Sequence, residues 1–236
     1  MNHDITNEVL AEFSTAFSSN PVNRIAMNAV TSAGLLAASK NPMAQRESRH
    51  SYSISLEQGE ITNQKQSGRC WMFAALNTFR FEVMKNLNLK TFELSQNYTL
   101  FYDKLEKSNY FLESILETLD EPTQGRLISF LLSAPLGDGG QWDMLCNLVR
   151  KYGVVPKEAM PETVSSSATR EMTSALTRKL REDACRLRKA YADGSTLDEL
   201  RQKKEAMMEE IYRVLCICLG EPPKTFDLEV TDKDDK

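Results

Sequence analysis

The sequence predicts an α+β chain that is mostly helical, and three observations carry that prediction. Apolar residues recur three and four apart through most of its 236 residues, the period of a helix with one buried face. A single stretch, Tyr52, Ile54 and Leu56 set between serines, alternates as a half-buried strand does. A polar, glycine-containing loop, Asn63 to Arg69, runs directly into an apolar helical pattern that begins at Cys70.

Composition narrows the function classes. With 41% hydrophobic and 26% charged residues the chain can bury a core of one or two domains. A net charge of -4 points away from a nucleic-acid surface, and no apolar run approaches the roughly 20 residues that span a bilayer. The start, MNHDITNEVL, lacks the basic and apolar regions of a secretory leader. Five cysteines (70, 146, 185, 216, 218), odd in number and without CxxC spacing, argue against both a zinc site and a disulfide framework. No metal or cofactor is expected, and the cytoplasm is the expected compartment.

Taken in order, Ile5 to Phe17 place Val9, Leu10, Phe13 and Phe17 at helical spacing, with Thr6 as N-cap and Asn20-Pro21 as the stop. Arg24 to Ala38, rich in small residues, reads as a looser helix ended by Asn41-Pro42. Packing against the body of the protein is the plain reading of this arm. The strand at 52–56 follows, with a turn at Gln58-Gly59. The helix from Cys70 is expected to bury Phe73, Leu76, Val83, Met84 and Leu87. Ser95 caps a helix to about Ser108, and a second runs from Tyr110 to Leu119 until Pro122. Their aromatics are read as core rather than as a stacking surface. The turn Gly137 to Gly140 feeds a helix carrying Trp142, Leu145, Val149 and Tyr152, capped by Gly153. Thr169 to Gly220 forms a charged helical hairpin. Leu176, Leu180, Ala184 and Leu187 stripe its first helix and Leu200, Met207, Ile211 and Leu215 its second, with Asp193-Gly194 at the turn and Thr196 with Glu199 as a capping box. Its basic residues (Arg178, Lys179, Arg181, Arg186, Arg188, Lys189) interleave with Glu182 and Asp183 and read as a solvated face. Cys216 and Cys218, inside VLCICL, read as buried thiols.

The chemistry concentrates at Cys70. At a helix N-terminus the unpaired N–H groups and the helix dipole favour negative charge, and a thiolate is the nucleophilic form of cysteine. Gln64 lies six residues upstream on the loop that must fold back beside the helix start. A nucleophile beside a neutral hydrogen-bond donor is what acyl transfer uses: one attacks the carbonyl, the other steadies the oxyanion. The GDGG turn alone is an ordinary tight turn, and the GxxxxGK pattern of a phosphate loop is absent.

The segment NQKQSGRCWMFAALN resembles the active-site segment of papain-like cysteine peptidases, whose glutamine, glycine, cysteine and tryptophan fall on Gln64, Gly68, Cys70 and Trp71. With LSQNYTLFYDKLEKSNYF, it is most similar to the aminopeptidase C and bleomycin hydrolase branch. The resemblance implies an α+β papain-like cysteine peptidase fold. Here it would comprise a helical arm (1–48), a left lobe with the nucleophile helix (49–160), a helical hairpin insertion (161–221) and the start of a β-rich right lobe (222–236) that is otherwise missing. It implies Cys70 as nucleophile, Gln64 in the oxyanion hole, Trp71 across the cleft floor, and Gly139 and Gly140, with Asp138 beside them, as substrate contacts. A structural turn remains the alternative for the glycines. It also implies removal of N-terminal amino acids from peptides through a thioester. The expected partners are a peptide substrate and, at full length, copies of the chain in a hexamer that the N-terminal arm helps to build. No membrane or nucleic acid is expected.

Two departures matter. Papain's second cysteine, three residues before the nucleophile, is Ser67 here, so the disulfide of the secreted enzymes is missing, as a reducing compartment requires. The family's histidine and asparagine lie well downstream of the cysteine, yet the two histidines here, His3 and His50, both precede Cys70. His50 matches no motif and reads as a surface imidazole. The chain is therefore expected to be a partial one, carrying the nucleophile half of a site and inactive alone. The alternative is a non-catalytic peptide- or subunit-binding module on the same lobe.

Overall fold

The computed structural model describes residues 4–47, 51–54, 56 and 59–234. Both histidines lie outside the described residues, as do Ser55, Glu57 and Gln58 of the predicted strand and turn. The chain divides into two compact units, Met1–Leu56 and Glu57–Lys236.

Among its described residues the first unit holds four helices: α1 (Asn7–Ser19), α2 (Pro21–Ala33), α3 (Leu35–Ala38) and α4 (Pro42–Glu47). Thr6 caps α1 as expected, accepting from the Val9 N–H. The Asn-Pro pairs, however, begin helices as well as ending them. Asn20 and Asn41 accept from the N–H groups of Val22 and Met43, each with proline at the first helical position, where its missing donor costs nothing. The predicted helix 24–38 is split at Gly34, whose φ of +80° lies in the left-handed region. The predicted strand is not one: Tyr52, Ile54 and Leu56 are 76%, 76% and 60% exposed and belong to no ladder. Alternation is a local signal, and a strand also needs a partner.

The second unit is built around one helix. Its elements are α5 (Cys70–Asn86), α6 (Gln96–Glu117), α7 (Arg126–Ser133), α8 (Trp142–Tyr152), the single turn α9 (Val164–Ser167), α10 (Arg170–Ala192) and α11 (Leu197–Leu219). Helix α6 packs against α5, α7, α8, α10 and α11 and buries 13 of its 22 residues, so it is central rather than amphipathic. The break expected after Ser108 does not occur. The buried Ser108 hydroxyl donates to the Lys104 carbonyl one turn back, so its polar group is satisfied without interrupting the helix. Ser95 caps α6 by accepting from the Tyr98 N–H.

The hairpin forms as its stripes require. Leu176, Leu180, Ala184, Leu187, Leu200, Ile211 and Leu215 are all within 1% of full burial, the capping box at Thr196 is present, and Gly194 turns at φ +96°. Tyr98, Phe101 and Phe111 join the core, whereas Tyr110 is exposed. Leu87, expected inside, is exposed at the C-cap of α5. Cys216 and Cys218 are only half-buried. Helix α7 was not foreseen. Among the described residues there is no multi-residue strand, only two isolated bridges, Gln66 with Ala168 and Leu94 with Pro156. The first of these anchors the loop ahead of Cys70.

Candidate active site

Cys70 is the first residue of α5 and is exposed. The loop that delivers it is tied down on two sides. On one side the Gln66 N–H donates to the Ser167 carbonyl at 3.0 Å. Arg69, fully buried, makes a two-pronged contact with Glu162, Nη1 to Oε1 at 2.8 Å and Nη2 to Oε2 at 2.7 Å. Such forked pairing fixes orientation as well as distance. The Arg69 Nε donates to the Ser67 hydroxyl, which in turn donates to the Gln64 carbonyl. Ser67, at the position of papain's second cysteine, thus sits inside a hydrogen-bonded chain. Burial would raise the Glu162 carboxyl, but the Arg69 guanidinium and the Ser166 hydroxyl hold it below the usual carboxylate range.

On the other side stands Asp138. Its Oδ2 accepts from the Gly68 N–H at 3.2 Å and from the Thr169 hydroxyl at 2.5 Å. Its Oδ1 accepts from the Lys104 ammonium and, at 3.5 Å, from the Thr173 hydroxyl. Its backbone carbonyl accepts from the Trp71 indole N–H at 2.8 Å. Burial pushes the Asp138 carboxyl up. Lys104, Thr169 and the Gly68 amide outweigh burial and bring it down to about 2.

The glycine turn is gripped from α6. Lys104 donates to the Gly137 carbonyl at 2.9 Å. Lys107 donates to the carbonyls of Gly137 (3.1 Å) and Gly139 (2.7 Å) and sits 5.6 Å from the Trp71 ring centre. Two glycines are required by close approach. A Cβ on Gly68 would lie 2.7 Å from the Asp138 Cβ, and one on Gly140 would lie 2.5 Å from the Trp71 ring. Trp71 therefore lies against the turn, and the loop before Cys70 touches it directly. An open cavity of about 680 Å³ adjoins this junction, lined by Ser67, Gly68, Asp138, Thr169 and Thr173 among others.

Gln64 is half-buried on the same loop, and its side-chain oxygen is buried without a protein partner among the described residues. Cys70, Gln64, Gly68 and Trp71 thus fall on one loop–helix junction, with Asp138, Gly139 and Gly140 on the turn that meets it. Sequence reasoning missed Arg69, Glu162, Lys104, Lys107, Thr169 and Thr173. One signal was legible: Lys104 lies four residues after Leu100 and four before Ser108, on the buried side of α6. A lysine there needs an anion.

Residues 4–236 match the Peptidase C1-like family. The chain is 48% identical over 236 residues to aminopeptidase C of Listeria monocytogenes, covering 100% of this chain and 53% of that protein. It is 44% identical over 234 residues to human bleomycin hydrolase, covering 98% of this chain and 51% of that protein. The crystal structure of PepW from Lactobacillus rhamnosis HN001 superposes with a TM-score of 0.96 at 46% identity, covering 100% of this chain and 53% of that one. The chain spans about half the length of the curated relatives it matches.

Proposed function

The chain belongs to the Peptidase C1-like family and has a papain-like peptidase fold, and on that premise we propose that it carries the nucleophile half of a cytoplasmic cysteine aminopeptidase. The observation that carries this reading is an exposed cysteine opening a helix, on a loop whose neighbours on both sides are pinned. Cys70, as thiolate, attacks the carbonyl carbon of the first peptide bond. The C–S bond forms while the carbonyl π-electrons move to oxygen. The Cys70 N–H and the Gln64 side-chain amide hold that oxyanion. A pair of this kind contributes on the order of 3 kcal/mol per donor. Collapse breaks the C–N bond, the amine departs with a proton, and water hydrolyses the thioester to acid and thiol. Gly139 and Gly140 offer backbone to the substrate.

The leaving amine needs a proton donor, in this family a histidine. The two histidines among these 236 residues, His3 and His50, precede the nucleophile. The 236-residue chain alone is therefore expected to be alkylated stoichiometrically by iodoacetamide at Cys70 and not to turn over aminoacyl arylamides. Mass spectrometry and a release assay, with Cys70→Ala as control, check both halves. Turnover that Cys70→Ala abolishes would overturn the incomplete-site reading. Labelling spread evenly over all five cysteines would overturn the assignment of Cys70.

A further inference from the structure

The cluster at the turn carries a further step, which rests on the peptidase reading just given. We propose that Asp138 is a positioning residue for the nucleophile: with the buried Lys104 it forms an ionic clamp that sets the spacing between the Cys70 loop and the glycine turn.

Asp138 touches both sides of Cys70. Its carboxylate receives the N–H of Gly68, two residues before, and its carbonyl receives the indole of Trp71, the residue after. The same carboxylate reaches α6 through Lys104 and the start of α10 through Thr169 and Thr173. One side chain thus joins the nucleophile loop, the turn and two long helices. The Lys104 side chain is 0% exposed and that of Asp138 21%, so water competes little for either. A buried ammonium with one carboxylate partner cannot release that partner without heavy cost, which makes the tie stiff. Close backbone approach confirms that the joint is under fixed spacing: neither Gly68 nor Gly140 has room for a Cβ. All five cysteines are free, so the loop is held without a disulfide, and the Lys104–Asp138 pair reaches it from neighbouring segments.

Positioning differs from mere stability, because a buried ion pair can be replaced by apolar groups at little cost in stability. The test uses the 236-residue chain as wild type, as Asp138→Ala, and as Lys104→Met/Asp138→Ala, in which no buried charge is left unpaired. Three readouts are taken: melting temperature, hydrogen exchange of the Gly68 amide, and protection of Cys70 from iodoacetamide by a dipeptide aldehyde. In the last, the thiol adds to the aldehyde carbon and its proton passes to the oxygen, giving a hemithioacetal that requires turn and nucleophile in register. Asp138→Ala is expected to melt lower and the double variant to recover. Both are expected to weaken aldehyde protection by about tenfold or more and to speed Gly68 exchange by about tenfold or more. Protection is read relative to each variant's own alkylation rate without aldehyde. A folded variant with wild-type exchange and protection overturns the clamp, as does recovery of all three readouts in the double variant. If Asp138→Ala does not fold, the double variant decides alone. If the aldehyde fails to protect even wild type, the absence of a histidine after Cys70 accounts for it, and the exchange rates decide the clamp alone.

Discussion

Asp138 shows how far one side chain can be displaced from its ordinary chemistry. An unfolded chain gives it the ordinary carboxylate affinity for protons; the folded chain holds it near 2. The folded state therefore binds fewer protons as pH falls, and the stability Asp138 contributes is fully present above about pH 4 and drains away towards pH 2. The expected size is about 2 kcal/mol. Urea midpoints taken from pH 5 to pH 2 should fall more steeply for wild type than for Lys104→Met/Asp138→Ala, by roughly that amount; parallel lines would contradict the assignment. The difference between the two chains is the quantity to read, because Glu106, Glu113 and Glu162 also lie below their ordinary range. Lys104's need of an anion was legible in the sequence, but the partner that supplies it was not. Arg69 and Glu162 are 93 positions apart and Lys104 and Asp138 are 34 apart, and charge partners across such distances have no periodic signature. The motif residues Gln64, Gly68, Cys70 and Trp71 were legible because they sit together on one loop and one helical turn.

Among the elements, caps proved the most readable feature, since a cap is a contact between near neighbours. Thr6, Ser95, Thr196, Gly153 and Gly220 all stand at helix ends. Length was less readable. The helix expected to stop near Ser108 runs on to Glu117, packed against its neighbours on either side of that point. Ser95 is the cap with most at stake. It is 2% exposed, accepts from the Tyr98 N–H and donates to the Met160 carbonyl. Ser95→Ala would leave a buried carbonyl and a buried N–H short of partners, at a cost of about 2 kcal/mol. Chemical denaturation should show this as a lower midpoint with an unchanged slope. A loss below a few tenths would mean that water replaces the hydroxyl.

In the Glu57–Lys236 unit the helices meet in one hydrophobic cluster. Helices α6, α10 and α11 share one core with the elements that carry Cys70. Leu180→Ala, at a fully buried position on α10, should therefore cost about 3 kcal/mol. The loss should appear equally whether unfolding is followed by helix content or by Cys70 accessibility. Two separate transitions would show the hairpin to be an independent domain. The apolar stripes of α10 and α11 were visible in the sequence, but the ranking was not: nothing local marks α6 as the axis and α10 and α11 as its cover.

That ranking bears on how the protein is made. Helix α6 ends at Glu117, and the second of its two long covering helices ends at Leu219, about a hundred residues later. At a synthesis rate of about 5–20 residues per second, those apolar sides emerge from the ribosome about 5–20 seconds before they can be covered. The nucleophile helix is thus translated early, and the core that it shares is closed last.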